Sequence, residues 1–167
     1  MKKSNIVMIG MPGSGKSTLG LALAEQIGYT FVDVDRVIEA ETGKLLKEII
    51  AEQGDDGFLK VEEEINASLR AERTVFAPGG SVIYGPKAME HLKEIATIVY
   101  LKVPFEELEK RLGNLQERGV VLKDGMTLRD LYNERLPYYD RYAEVIMDET
   151  GKDFEQTVTA LKEIFED

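Results

Sequence analysis

Gly10-Met11-Pro12-Gly13-Ser14-Gly15-Lys16-Ser17 has the spacing of a phosphate-binding loop: a glycine, four residues, then Gly-Lys-Ser. Glycines at this spacing let backbone N–H groups converge on phosphate oxygens, and the helix that follows presents its positive dipole end to the same anion. In such a loop Lys16 reaches the β- and γ-phosphates and the Ser17 hydroxyl ligates Mg²⁺. A glycine-rich turn can match by chance, but here an apolar run, Ile6 to Ile9, precedes the loop and a helical pattern follows it. The chemistry indicated is binding of a nucleoside triphosphate with Mg²⁺.

A second candidate follows soon after. Phe31-Val32-Asp33-Val34-Asp35 carries two carboxylates two residues apart. If Thr30–Val34 is a strand, as its composition predicts, both side chains point to one side of it. Like charges so close need a cation or a hydrogen bond between them. One carboxylate can sit by Mg²⁺, and the other can orient or deprotonate an attacking hydroxyl. Away from a phosphate loop the same pair would read as two solvated loop aspartates. Gly79-Gly80, after the run Thr74–Ala77, is either a tight turn or a close backbone approach to a ligand. Arg118 lies in a polar stretch where an arginine is either solvated or part of a lid over a charged transition state. Arg135 can pair with Glu134 or Asp140 on its own helix, or hold an anionic ligand. Glu62-Glu63-Glu64 reads as a solvated helix face, His91 as an exposed helical residue, and Tyr138, Tyr139 and Tyr142 as packing.

These residues need elements to place them. Strands are expected at Ile6–Ile9, Thr30–Val34, Thr74–Ala77, Thr97–Leu101 and Val145–Met147. Helices are expected at Ser17–Ile27 with Gly28 as the stop, at two or three places between Arg36 and Arg70, and at Lys87–Glu94, Phe105–Leu112 and Phe154–Phe165. Leu128–Tyr142 is helical in pattern, with Pro137 expected to end or kink it. Alternating strands and helices define an α/β domain with a mainly parallel sheet, and such sheets bind ligands beyond the carboxyl ends of their strands.

The chain has 167 residues, the size of one domain. With 21 basic and 31 acidic residues its formal charge is −10, which argues against nucleic acid or an anionic membrane as partner. There is no cysteine, hence no disulfide or thiolate chemistry, and no apolar run reaches the roughly 20 residues of a membrane span. The expectation is a cytoplasmic monomer acting on a small molecule.

Taken in order, the motifs resemble the shikimate kinase family. The matching pieces are Gly10 to Thr18 with Gly20, Phe31-x-Asp33-x-Asp35, Ile38-Glu39 with Thr42-Gly43, Glu48-Ile49, Gly54, Phe58, Glu62, Gly79-Gly80, Arg118 and Arg135-x-Pro137-x-Tyr139. The resemblance implies a P-loop NTPase-type three-layer fold: a five-stranded parallel sheet flanked by helices, within one kinase domain spanning residues 1–167. It implies a helical substrate-binding region at about 35–70 and a lid at about 113–125. The implied activity is transfer of the ATP γ-phosphate, with Mg²⁺, to a hydroxyl of shikimate on the route to chorismate. By the same resemblance Gly13, Ser14, Gly15, Lys16, Ser17 and Thr18 hold the nucleotide phosphates and Arg111 lies near the adenine. Ser17 and Asp33 serve the metal. Asp35 binds the reacting hydroxyl as base, Gly79 and Gly80 contact the acceptor through their backbone, and Arg135 pairs with its carboxylate. Arg118 meets the transferring phosphoryl group, so Lys16, Asp35 and Arg118 form the implied catalytic set.

Two positions depart from the family pattern. Leu59 stands where a carboxylate-gripping arginine is expected, with Lys60 beside it but about 100° round a helix, and Pro78 stands where a glycine N–H is expected. These leave open a kinase for another small acceptor, such as gluconate, homoserine or a nucleoside monophosphate. A nucleotide-binding switch or scaffold is the non-enzymatic alternative, although no guanine-reading Asn-Lys-x-Asp segment is present.

Overall fold

The computed structural model describes residues 3–112 and 125–166. In chain order the elements are β1 (Asn5–Ile9), α1 (Lys16–Ile27), β2 (Thr30–Asp33), α2 (Val34–Thr42), α3 (Leu46–Ala67), β3 (Thr74–Ala77), a 3₁₀ turn (Gly80–Tyr84), α4 (Pro86–Ile95), β4 (Ala96–Lys102), α5 (Phe105–Arg111), α6 (Leu128–Tyr142), β5 (Val145–Asp148) and α7 (Phe154–Phe165). The five strands form one sheet in the order β2-β3-β1-β4-β5, and every pairing is parallel.

The two central strands explain the topology. Every residue of β1 and β3 is buried, as in a parallel strand covered on both faces. Alternate side chains of β1 enter different cores. Val7 and Ile9 pack with Ile38, Ile49, Leu92 and Tyr139, while Ile6 and Met8 pack with Leu19, Leu23, Val158 and Leu161. Helices therefore flank the sheet on both sides, as expected. All five carboxyl ends emerge along one edge, and most candidate residues lie at the ends of β1, β2 and β3 or in the loops and helix starts that follow them.

Three local expectations need correction. The second strand stops at Asp33, because its side chain caps α2 by accepting the Asp35 N–H at 3.1 Å. Asp33 and Asp35 are therefore a cap and a first-turn residue, not neighbours on one face of a strand. Of the two outcomes expected at Pro137, an end is excluded, since helix α6 runs through it to Tyr142. The proline removes one N–H from the ladder, but buried Leu131, Arg135 and Tyr139 secure the helix on either side of it. His91 is half-buried and its Nε2 lies 2.6 Å from the Leu69 carbonyl, so it ties α4 to the end of α3.

Between Arg36 and Arg70 lie two helices, the longer broken at Gly54, whose φ of 74° no neighbouring helical residue shares. This break turns the second half of α3 so that Phe58 and Glu62 are buried.

Candidate active site

Gly15 ends the phosphate loop with a φ of 93°, a left-handed conformation that favours glycine, and α1 begins at the next residue. Lys16 is half-buried. Its Nζ donates to the carbonyls of Gly10 at 2.8 Å and Met11 at 3.0 Å, folding back over its own loop. Burial pulls its ammonium down to about 8, with the neighbouring Arg135 acting in the same direction and Asp35, Glu62 and Asp33 opposing it. The Ser17 hydroxyl lies 3.4 Å from Asp33 Oδ2. Ser17 and Thr18 are exposed at the start of α1, and Ser14 is buried with its Oγ lacking a hydrogen-bond partner.

A cavity of about 290 Å³ opens from this loop toward the ends of β2 and β3. Lys16, Asp35, Glu62, Gly79, Gly80 and Arg135 all line it. Asp35 Oδ1 is buried and has no hydrogen-bond partner. Its carboxyl is pushed up to about 6, chiefly by burial and then by the Asp33 carboxylate, while Lys16 and Arg36 act against the shift. Gly79 is needed for space, since a Cβ there would lie 3.1 Å from both Asp35 Oδ1 and Glu62 Oε2.

Arg135 is the largest fully buried side chain, at 1% exposure. It does not settle on Glu134 or Asp140. Its Nε donates to the Tyr84 hydroxyl at 3.3 Å, and its guanidinium lies 5.4 Å from the Tyr84 ring centre. Tyr84 in turn bonds the Glu134 carboxylate. One turn further along α6, Tyr139 stacks on Tyr100 and donates to the Gly80 carbonyl at 3.0 Å. The cation is thus held against the cavity by aromatic contacts and hydrogen bonds.

Glu62 overturns the reading of its acidic run as a solvated face. It is 2% exposed, and both its oxygens accept from the Ser81 hydroxyl, at 2.7 and 3.0 Å. Burial pushes its carboxyl up to about 8, although the Ser81 hydrogen bond works the other way. The sequence carried a signal for it: Glu62 lies four residues after Phe58, on the same face of α3.

Other candidates fall elsewhere. Arg111 ends α5, donates to the Gly13 carbonyl at 3.0 Å and lies 3.8 Å from Glu149. Arg118 lies outside the described residues. Lys60 is exposed and does not line the cavity, so it does not replace the expected arginine there. Leu59 faces a neighbouring cavity with Tyr84, Glu134 and Tyr138. Pro78 lies at the cavity wall beside Gly79.

A family model for shikimate kinase matches residues 12–166. The chain belongs to the shikimate kinase family. Among the relatives of this family, shikimate kinase from Synechococcus elongatus (strain ATCC 33912 / PCC 7942 / FACHB-805) is 34% identical over 166 residues, 96% of this chain and 85% of that protein. The enzyme from Persephonella marina is 34% identical, covering 94% of this chain and 96% of the other. That from Chlorobium chlorochromatii is 42% identical over 119 residues, 71% of this chain and 63% of that protein. Among solved structures, shikimate kinase from Acinetobacter baumannii in complex with shikimate superposes with a TM-score of 0.79 at 29% identity, covering 98% of this chain and 93% of the other. A gluconokinase from Sinorhizobium meliloti shares the fold more distantly, with a TM-score of 0.52 at 19% identity. As a member of the shikimate kinase family the chain is a phosphotransferase with the expected P-loop kinase fold. No helix among the described residues is long and apolar enough to cross a membrane.

Proposed function

We propose that the chain transfers the γ-phosphoryl group of ATP to a hydroxyl of shikimate. The observation that carries this reading is the cavity beyond the phosphate loop, where the unpartnered Asp35 Oδ1 and the buried Arg135 guanidinium share one space with Lys16. A hydroxy acid supplies what both need, a hydroxyl for the carboxylate and a carboxylate for the guanidinium.

In this reading Asp35 orients the attacking hydroxyl and takes its proton. Lys16 leaves its loop carbonyls to neutralise charge growing on the transferred group. Gly79 and Gly80 admit the ring close to the backbone, and Arg135 fixes its far end. Gly13, Ser14, Gly15 and Thr18 cradle the phosphates, Arg111 lies on the nucleoside side, and Arg118 completes the charge neutralisation. Ser17 and Asp33 fit a Mg²⁺ ion, since both offer hard oxygen donors facing each other. Among the described residues no three acidic or histidine side chains converge to hold a metal unaided, which suits an ion shared with phosphates. A Mg²⁺ ion held there would supply Lewis-acid neutralisation of the phosphate oxygens.

A second reading rests on Leu59. The expected second arginine is absent, and Lys60 is exposed and does not line the cavity, so another hydroxy acid or polyol is the competing acceptor. A coupled ADP-release assay across shikimate, gluconate, homoserine and nucleoside monophosphates decides between them. Shikimate-dependent release is the expected result. Release with gluconate or homoserine but none with shikimate would change the acceptor and keep the kinase, while no release with any acceptor would leave only a nucleotide-binding protein.

A further inference from the structure

A second cavity, of about 420 Å³, shares Gly13, Gly15 and Thr18 with the first. If the triphosphate runs across this loop with its γ end at Lys16, the nucleoside end enters the second cavity. Beyond the loop that cavity is lined by Glu107, Arg111, Glu149, Lys152, Asp153 and Phe154. Glu107 accepts from Arg111 Nε, and Asp153 accepts from the Gln156 N–H as the cap of α7. One of these has an unmet need. Glu149 follows the carboxyl end of β5, and its backbone is fixed from both sides. Its N–H donates to the Lys102 carbonyl at 2.9 Å, and its own carbonyl accepts from the Lys152 N–H at 3.0 Å. Its side chain is 7% exposed. Oε1 lies 3.8 Å from Arg111 Nη1, beyond a good hydrogen bond, and Oε2 is buried with no hydrogen-bond partner. A buried acceptor left unpaired costs free energy, and such groups in folded proteins generally have a partner to find.

The chemistry of the missing partner follows. A carboxylate accepts hydrogen bonds and donates none. The adenine base of ATP carries its only N–H donors on the 6-amino group. A 6-oxo purine places an acceptor oxygen at that point, against the carboxylate. We infer that Glu149 accepts the 6-amino N–H of the nucleotide base and is the residue that selects a 6-amino purine over a 6-oxo purine. This inference rests on the assignment of ATP as phosphoryl donor. Burial raises the Glu149 carboxyl to about 7, with Arg111 opposing the shift and Asp148 and Glu107 adding to it. The acceptor form therefore dominates at pH 8.

The test uses nucleoside diphosphates, so that it reads binding alone. ADP and IDP are titrated calorimetrically into the full chain at pH 8, for the wild type, Glu149→Gln and Glu149→Ala, with a thermal melt of each. Wild type should bind ADP at least about tenfold more tightly than IDP, the scale of one charge-assisted hydrogen bond. Glu149→Ala should lose about tenfold for ADP and change little for IDP. Glu149→Gln should also narrow the ratio, because its amide can turn an N–H toward a 6-oxo group. If Glu149 merely held Arg111 in place, both diphosphates would weaken by the same factor and the ratio would survive, which overturns the assignment. A wild type with no preference between the two would overturn it equally. Failure of wild type to bind either diphosphate would instead remove the nucleotide reading on which it stands.

Discussion

Asp35, half-buried, and Glu62, buried, are two carboxyls in one cavity, and their protons decide what each can do. Asp35 must be ionised to accept a proton, so kcat/KM should rise as pH climbs through about 6, the value to which burial and Asp33 push it. Asp35→Asn keeps the shape and loses the base, and general-base losses run to about 10²–10⁴-fold in kcat. Steady-state kinetics from pH 5 to 9 check both points, and an Asp35→Asn enzyme of near wild-type rate would remove the base assignment. Glu62, raised to about 8, keeps its proton through neutrality. The unfolded chain ionises the same residue near its ordinary value of about 4.5, so folding loses stability between there and about 8 and loses no more above it. Glu62→Gln removes that penalty while its amide oxygen still accepts from Ser81. Its Tm should exceed the wild type's by several degrees at pH 8 and by clearly less at pH 5. An equal difference at both values would mean that Glu62 is ionised in the folded protein.

At the scale of elements, the site depends on how closely α6 approaches the turn after β3. Gly80 is the point of contact. A Cβ there would lie 2.7 Å from Arg135 Nη1, 3.0 Å from the Gly10 carbonyl and 3.2 Å from the Tyr139 hydroxyl. The Gly10 carbonyl cannot give way cheaply, because it belongs to the phosphate loop and accepts from Lys16. Gly80→Ala should therefore push α6 off the loop, cutting turnover at least about tenfold and lowering the Tm, since overpacking typically costs about 1–3 kcal/mol. Kinetics beside a thermal melt test this. A variant of unchanged rate and Tm would show that α6 is not held by this contact. The same packing explains why Pro137 does not break α6: buried anchors on both sides outweigh one missing hydrogen bond.

The whole molecule carries a charge of −10 around a site that must accept a polyanion. The conflict is resolved locally, by Lys16, Arg135, Arg111 and the amino end of α1, while acidic side chains lie over much of the outer surface. Self-repulsion among those surface charges opposes compaction. Raising NaCl from about 20 to about 200 mM shortens the screening length from about 20 Å to below 10 Å. The Tm of the ligand-free chain should rise across that range by a few degrees. A fall would mean that attractive surface pairs, such as Lys3–Glu144 and Arg36–Glu39, outweigh the repulsion.

The phosphate loop, the five strands and the α/β order are legible in the sequence because each depends on neighbours in the chain. Glycine spacing, short apolar runs and helical periodicity are local signals, and the ordered motifs carry the family. Tertiary packing decided the rest. Glu62 shares an acidic run with Glu63 and Glu64, and only the bend at Gly54 and the packing of α3 on the turn after β3 bury it against Ser81. Tyr84 carries no motif, yet it holds Arg135 from 51 residues away. Glu149 carries no motif, and only the edge position of β5 brings it beside Arg111. Burial changes a carboxyl's proton and its need for a partner, and burial arises from contacts between distant segments, which no short stretch of sequence contains.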